Sequence, residues 1–311
     1  RRHIMAVPDA GDRMALYALM GEVYESEIKD LDRAVEAYAD ILSFDPNHQQ
    51  ALGALGRLYE KVEDWSKAVD TLSHLVSLVS DRAKQVELHT RIGALYEDRL
   101  QDQDTAEGRY LEALRIDGNY VPVLLKLIAL YKGRGDWLKA VQHMIRCEEQ
   151  LTNPKEKVNM LFEIGTIFRE RLDDEQKGAE FLARVIALDP EHVGAAEPLS
   201  DVYFAQQKWK ELEPILDMLV RKADKRDTKE TNQLYYRLAT TADRLGNRDK
   251  ALKYFKMAYD LDSTSLPTLL GRADLLYRIE DWEGAFKLYQ TVLVHHREGQ
   301  KDSEVVDIFY R

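Results

Sequence analysis

Apolar and small residues recur along this chain at helical spacing. Blocks with i, i+3, i+4 periodicity follow one another over residues 15–297, and no stretch shows sustained two-residue alternation. A small residue marks the middle of most odd-numbered predicted helices: Gly21, Gly56, Gly93, Gly165, Ser200, Ala239 and Ala273, with Ile128 in the same column. An aromatic follows three positions later in the first six copies, as Tyr24, Tyr59, Tyr96, Tyr131, Phe168 and Tyr203. Twelve or thirteen positions after most of these marks comes a second small residue: Ala34, Ala68, Ala106, Ala140, Gly178, Ala251 and Ala285. Four further on stand Tyr38, Leu72, Tyr110, Met144, Leu182, Phe255 and Tyr289. The pattern predicts paired helices, with a small residue on one letting a large residue of the other approach closely.

Two landmarks fix the period. The four tryptophans Trp65, Trp137, Trp209 and Trp282 are 72 or 73 residues apart, and Asp45-Pro46, Asp117-Gly118, Asp189-Pro190 and Asp262-Ser263 keep the same step. The helical marks recur about every 36 residues, so two alternating repeat types double the period. Odd repeats one, three and five carry an extra residue in their internal turn, and even repeats lack the terminal Asp-Pro. Asp-Pro ends a second helix because proline cannot continue it, and the Asp before Trp is placed to cap the next one. Repeat six departs most: Lys208 replaces Asp, Leu212 replaces a small residue, and Pro198 and Pro214 fall inside expected helices. A shortened or bent helix pair is expected there.

Leu55-Gly56-x-x-Tyr59, Gly135-Asp136-Trp137-x-x-Ala140 and Ala113-Leu114-x-Ile116-Asp117 resemble the tetratricopeptide repeat (TPR) family, with eight copies in register. The resemblance implies an all-α, right-handed α-solenoid whose first helices line a concave groove that holds proteins or peptides. Residues 1–14 read as an N-terminal segment, partly vector-derived, 15–297 as the array, and 298–311 as the start of a further, truncated repeat.

Composition narrows the function. A formal charge of −11 disfavours nucleic-acid phosphate as partner. No apolar run reaches the roughly 18 residues of a membrane span. The single cysteine, Cys147, excludes an internal disulfide framework and fits a reducing, cytoplasmic setting; its column predicts a buried structural thiol. Neither a metal-ligand spacing nor a catalytic constellation emerges. His295-His296 are adjacent and would diverge on a helix, and no glycine-rich phosphate loop is present, so no cofactor, metal or enzymatic activity is expected. The tyrosines and tryptophans read as inter-helix and turn packing. Acidic turns at Glu25–Asp32, Glu97–Asp104 and Glu170–Glu175 read as solvated, with a docking edge for a basic partner as the other reading. The basic run Arg221-Lys222-x-x-Lys225-Arg226-x-x-Lys229, interrupted by Asp224 and Asp227, reads as a solvated loop.

The groove columns implied by the resemblance hold Ala18, Gly53, Thr90, Leu125 and Ala129 in the first four repeats and Phe162, Phe204, Tyr236, Leu270 and Tyr277 in the last four. Arg169, Arg237, Arg244 and Arg278 lie near the second set, and aromatic plus arginine is the composition of binding hot spots. Arg57, Lys61, Lys126 and Lys132 occur without the asparagines of a carboxylate clamp, so chaperone-tail binding is not expected. Two functions remain: a non-enzymatic scaffold binding a protein or peptide in the groove, or a structural segment that self-associates through its terminal repeats.

Overall fold

The computed structural model describes residues 7, 9–223 and 228–295. Among them sixteen α-helices form eight consecutive pairs, and there is no strand. The chain divides into two compact units, residues 1–152 and 153–311. The first holds α1 (Ala10–Val23, extended by a π-helical stretch Tyr24–Ile28) with α2 (Leu31–Phe44), α3 (Gln49–Lys61) with α4 (Trp65–Leu78), α5 (Arg82–Asp98) with α6 (Gln103–Ile116), and α7 (Val121–Arg134) with α8 (Trp137–Gln150). The second holds α9 (Pro154–Glu170) with α10 (Glu175–Leu188), α11 (Val193–Ala205) with α12 (Trp209–Arg221), α13 (Thr228–Arg244) with α14 (Arg248–Leu261), and α15 (Leu266–Arg278) with α16 (Trp282–His295). The expected truncated repeat at 298–311 lies outside the described residues, as do Asp224, Lys225, Arg226 and Asp227 of the basic run.

One turn is repeated eight times. The residue before each second helix's N-cap has positive φ: Lys29, Glu63, Gln101, Gly135, Asp173, Gln207, Gly246 and Glu280. The next residue turns its backbone N–H back into the first helix, to the carbonyl of Tyr24, Tyr59, Tyr96, Tyr131, Phe168, Tyr203, Ala242 or Leu276. In six of the eight that carbonyl belongs to the recurrent aromatic seen in the sequence. The side chain of the same residue, an Asp or Asn in seven copies, accepts from the backbone N–H three positions on and caps the second helix.

The alternation of repeats has a physical basis. First helices α5, α9 and α13 are 17 residues long, whereas α3, α7, α11 and α15 have 13 or 14. The shorter ones follow four-residue connectors in which Asp45, Asp117, Asp189 or Asp262 accepts the backbone N–H two residues on, a local Asx turn.

Packing follows the small-against-large rule read from the sequence. A Cβ placed on Gly93 would sit 2.6 Å from the ring of Tyr110, and one on Gly21 would meet Tyr38 at the same distance. Both tyrosines are buried, and the Tyr110 hydroxyl donates to Glu97 at 2.7 Å. Between repeats, Val69 and Leu72 of α4 pack with Leu88, Ile92 and Leu95 of α5.

Repeat six bears on the expectation of a shortened or bent pair. Both helices continue through their prolines, Pro198 and Pro214, which stand sixth in each: α11 has the 13 residues of α3 and α15, and α12, also 13, is one residue shorter than every other second helix. Proline leaves the carbonyl four residues back without its amide donor. Those carbonyls belong to Gly194 and Lys210, both at exposed positions. Burial of Leu199, Val202, Leu212, Ile215 and Leu216 carries each helix past its proline.

His89 is a buried polar exception in α5. Its Nδ1 has no hydrogen-bond partner among the described residues. Burial first, then the positive charge of Arg109, holds its pKa below the ordinary histidine value, with Arg115 acting the same way and Glu112 opposing.

Two outcomes are expected. Gly93→Ala gains about 1 kcal/mol of helix propensity but overpacks Tyr110 by about 1–3 kcal/mol, so urea unfolding should show a net loss. His89 is held neutral in the folded chain, so its contribution is complete above about pH 6.5 and declines as pH falls below that value. The urea midpoint of the wild type should therefore drop between pH 7.5 and 5.5 more than that of His89→Leu; equal drops would contradict this.

Candidate functional site

The structure brings together part of the predicted groove set. Phe204 on α11 lies 5.6 Å edge-on to Trp209 and 6.4 Å from Tyr236 on α13, while the Arg237 guanidinium stacks 5.4 Å over the Phe204 ring. Arg237 also ion-pairs with Asp201 of α11. Beside this cluster is a cleft of about 340 Å³ whose lining includes Glu197, Asp201, Glu230, Gln233 and Arg237.

The other predicted residues are spread out, and several are used in packing. Phe162 lies 4.7 Å from the His192 ring and against Gly194, at the joint of α9 and α11. Leu270 packs into the core of the last helix pair, and Tyr277 meets Trp282 edge-on at 5.0 Å. The Arg169 stem crosses Gly178, and its buried Nε has no partner among the described residues. Arg244 is exposed near the end of α13. Arg278 bonds Asp243 at 2.5 Å.

Arg237 and Arg278 belong to a series. In the first unit Glu25 meets Lys61 at 2.8 Å, Glu60 meets Arg91 at 2.6 Å, and Glu97 meets Lys126 at 3.1 Å. In the second, Asp201 meets Arg237 and Asp243 meets Arg278. Each time the acid comes from one repeat's first helix and the base from the next repeat's. These half-exposed pairs are worth about 0.2–1 kcal/mol apiece. Two of the four arginines placed near the groove, Arg237 and Arg278, therefore join neighbouring repeats.

Profiles of the tetratricopeptide repeat match residues 15–48, 51–86 and 233–265. The chain thus contains tetratricopeptide repeats at these three places. A search of curated proteins finds no match. Among solved structures it is similar to MamA, with 19% identity over 58% of this chain and 94% of that one, at a TM-score of 0.42. YrrB, described as a TPR protein with an unusual peptide-binding site, is 18% identical over 58% of this chain and 89% of its own, at a TM-score of 0.39. The Naa15/Naa10 complex bound to HypK-THB is 15% identical over 94% of this chain and 43% of that one, at 0.46. At these scores the likeness bears on neither partner nor mechanism.

The TPR turn carries a second device. In repeats one, two, four and five the N-cap Asp is ion-paired to a base three residues on: Asp30–Arg33 at 3.3 Å, Asp64–Lys67 at 2.6 Å, Asp136–Lys139 at 3.3 Å and Asp174–Lys177 at 3.0 Å. The same four cations lie 5.0–5.8 Å over the rings of Tyr24, Tyr59, Tyr131 and Phe168. Cap, cation and aromatic make one triad.

Repeat six inverts it. Lys208 occupies the N-cap, makes no side-chain cap, and places its ammonium 5.2 Å over Tyr203. Glu211 stands in the column of Arg33, Lys67, Lys139 and Lys177. Burial first, then the neighbouring Glu211 carboxylate, raises the Tyr203 hydroxyl pKa. Sequence reading noted Lys208 and missed Glu211; the column of bases three residues after each cap was the available signal.

Other candidate chemistry takes structural places. Cys147 is fully buried in α8, and burial pushes its thiol pKa up. No cluster of three or more metal-ligating side chains occurs among the described residues, and none of their helices is long and apolar enough to cross a membrane. Of the acidic turns, Asp30, Asp102 and Asp174 are caps, Glu25 and Glu97 join repeats, and Asp104 pairs with Arg134 at 2.9 Å. From the basic run, Arg221 and Lys222 both bond Glu191, at 2.9 and 2.8 Å.

Restoring the triad should stabilise repeat six. Lys208→Asp combined with Glu211→Lys supplies the missing cap and an adjacent base, for a gain of about 1 kcal/mol. Hydrogen exchange of the α12 amides reads this directly, and unchanged protection would show that the cap column does not act there.

Proposed function

We propose that the protein is a non-enzymatic interaction scaffold that holds a protein or peptide on the first-helix face of its second unit. The observation that carries this reading is the Phe204–Tyr236–Arg237–Asp201 cluster beside the 340 Å³ cleft of α11 and α13. Half-buried aromatics held rigid by neighbours lose little entropy on binding, and a polar cleft beside them provides orientation. The binding elements are Phe204, Tyr236 and the exposed Glu230 and Gln233; Phe162, Leu270 and Tyr277 shape the face by packing. A net charge of −11 favours protein over nucleic acid as the partner.

A second reading, end-to-end assembly, draws on apolar surface in the terminal repeats. Leu16 and Val23 of α1 stand in the columns of Leu88 and Leu95, which are buried against α4, yet are 39% and 46% exposed. Phe286 of α16, in the column of buried Val69, is 60% exposed.

The experiment is capture from the source lysate by the wild type and by Glu230→Lys with Gln233→Trp. Both positions are exposed, so helicity and unfolding should not change, while the captured partner should fall at least tenfold. Undiminished capture would remove the face from consideration. Sedimentation of the same samples separates the assembly reading, which requires concentration-dependent growth.

A further inference from the structure

Repeat six inverts the triad at a place where the surface is open. Between α10 and α12 lies an apolar cleft of about 260 Å³. Its floor is Ala183, Ile186, Leu199 and Ile215, and Glu211 and Pro214 stand at its α12 edge. In the column of Pro214 the other second helices carry Glu36, Asp70, Gly108, Gln142, Glu180, Lys253 and Lys287, mostly polar chains longer than proline. Proline removes that chain and presents an apolar edge. In the column of Glu211 four repeats hold a cation, tied in place by an Asp cap.

Glu211 has no such counterpart. It is exposed, and among the described residues no base is paired with it. Lys208, the nearest inverted charge, lies over Tyr203. The neighbouring acids Glu213 and Asp217 are already neutralised by Lys250, at 2.7 Å each. The cleft thus offers apolar floor and one unpaired carboxylate, in the column where four other repeats carry a cation.

We propose that this cleft is a second docking surface, separate from the first-helix face, and that it takes a partner segment in which an aliphatic side chain neighbours a lysine or arginine. The aliphatic group fills the space over Ile186 and Ile215, and the base pairs with Glu211 at the α12 edge of the cleft. Charge complementarity sets the choice, since an acidic segment would face an unscreened like charge at the rim.

The test is a random-peptide display library selected on the whole chain, with binders mapped by NMR. Peptides pairing Leu, Ile or Val with an adjacent Lys or Arg should be enriched and should shift the amides of Ile186, Tyr203 and Ile215. Glu211→Lys should weaken them at least tenfold and favour acidic peptides instead, and Ala187→Phe, which fills the mouth, should block both. Circular dichroism of each variant checks that the fold persists. Recovery of no such peptides, binders indifferent to Glu211→Lys, or a dimer of the chain that Glu211→Lys dissolves would each overturn the proposal.

Discussion

Everything in this molecule depends on one backbone hydrogen bond, made eight times: the N–H of each second helix's cap residue reaching the carbonyl five or six residues back in the first helix. To make it the chain passes through a left-handed residue, and six of the eight are not glycine. A left-handed non-glycine residue costs on the order of 1 kcal/mol, so packing must repay the turn. It does so because the turn fixes the register of the helices, bringing Gly93 under Tyr110 and Gly21 under Tyr38. A slip of one residue would set Cβ atoms into those rings. The turn and the small-residue column are therefore two views of one constraint.

The sequence exposed this constraint through spacing alone. Small residues, aromatics and aspartates keep a fixed distance because each has a steric or hydrogen-bonding task that tolerates few other side chains. What spacing could not reveal was which face of a half-buried residue meets solvent. Phe162 and Tyr277 share columns with Phe204 and Tyr236, yet only the latter two meet each other, while the first two meet His192 and Trp282. Column identity fixes direction from the helix axis, while the contact depends on the neighbour's side chain, which for Phe162 lies thirty residues away. The ion-pair partners of Arg237 and Arg278 were equally beyond a spacing argument, since Asp201 and Asp243 are 36 and 35 residues back. The prolines of repeat six stand near their helix starts, where each costs one backbone bond while the helix continues through it.

The inter-repeat ion pairs have a direction that helix packing lacks. Acid precedes base in all five first-helix pairs, so at each of these joints the earlier repeat offers the negative side and the later one the positive. At half-exposed sites these pairs add little stability. Their larger effect is on register, because a wrong stacking order would place acid against acid. Hydrophobic burial supplies the energy of stacking, and charge selects which arrangement collects it.

Repeat six shows the same logic reversed. It keeps the turn, the aromatic and a cation over the ring, since Lys208 does for Tyr203 what Lys67 does for Tyr59. What it abandons is the cap, a loss of about 1 kcal/mol with no local contact to replace it. A lone departure at one element could be drift held by surrounding packing. Here Lys208, Glu211 and Pro214 depart together within seven residues, and Glu211 and Pro214 edge the same apolar cleft. Local rules that fail jointly, at a cost, around one piece of open surface are the physical signature of a site and not of structural noise.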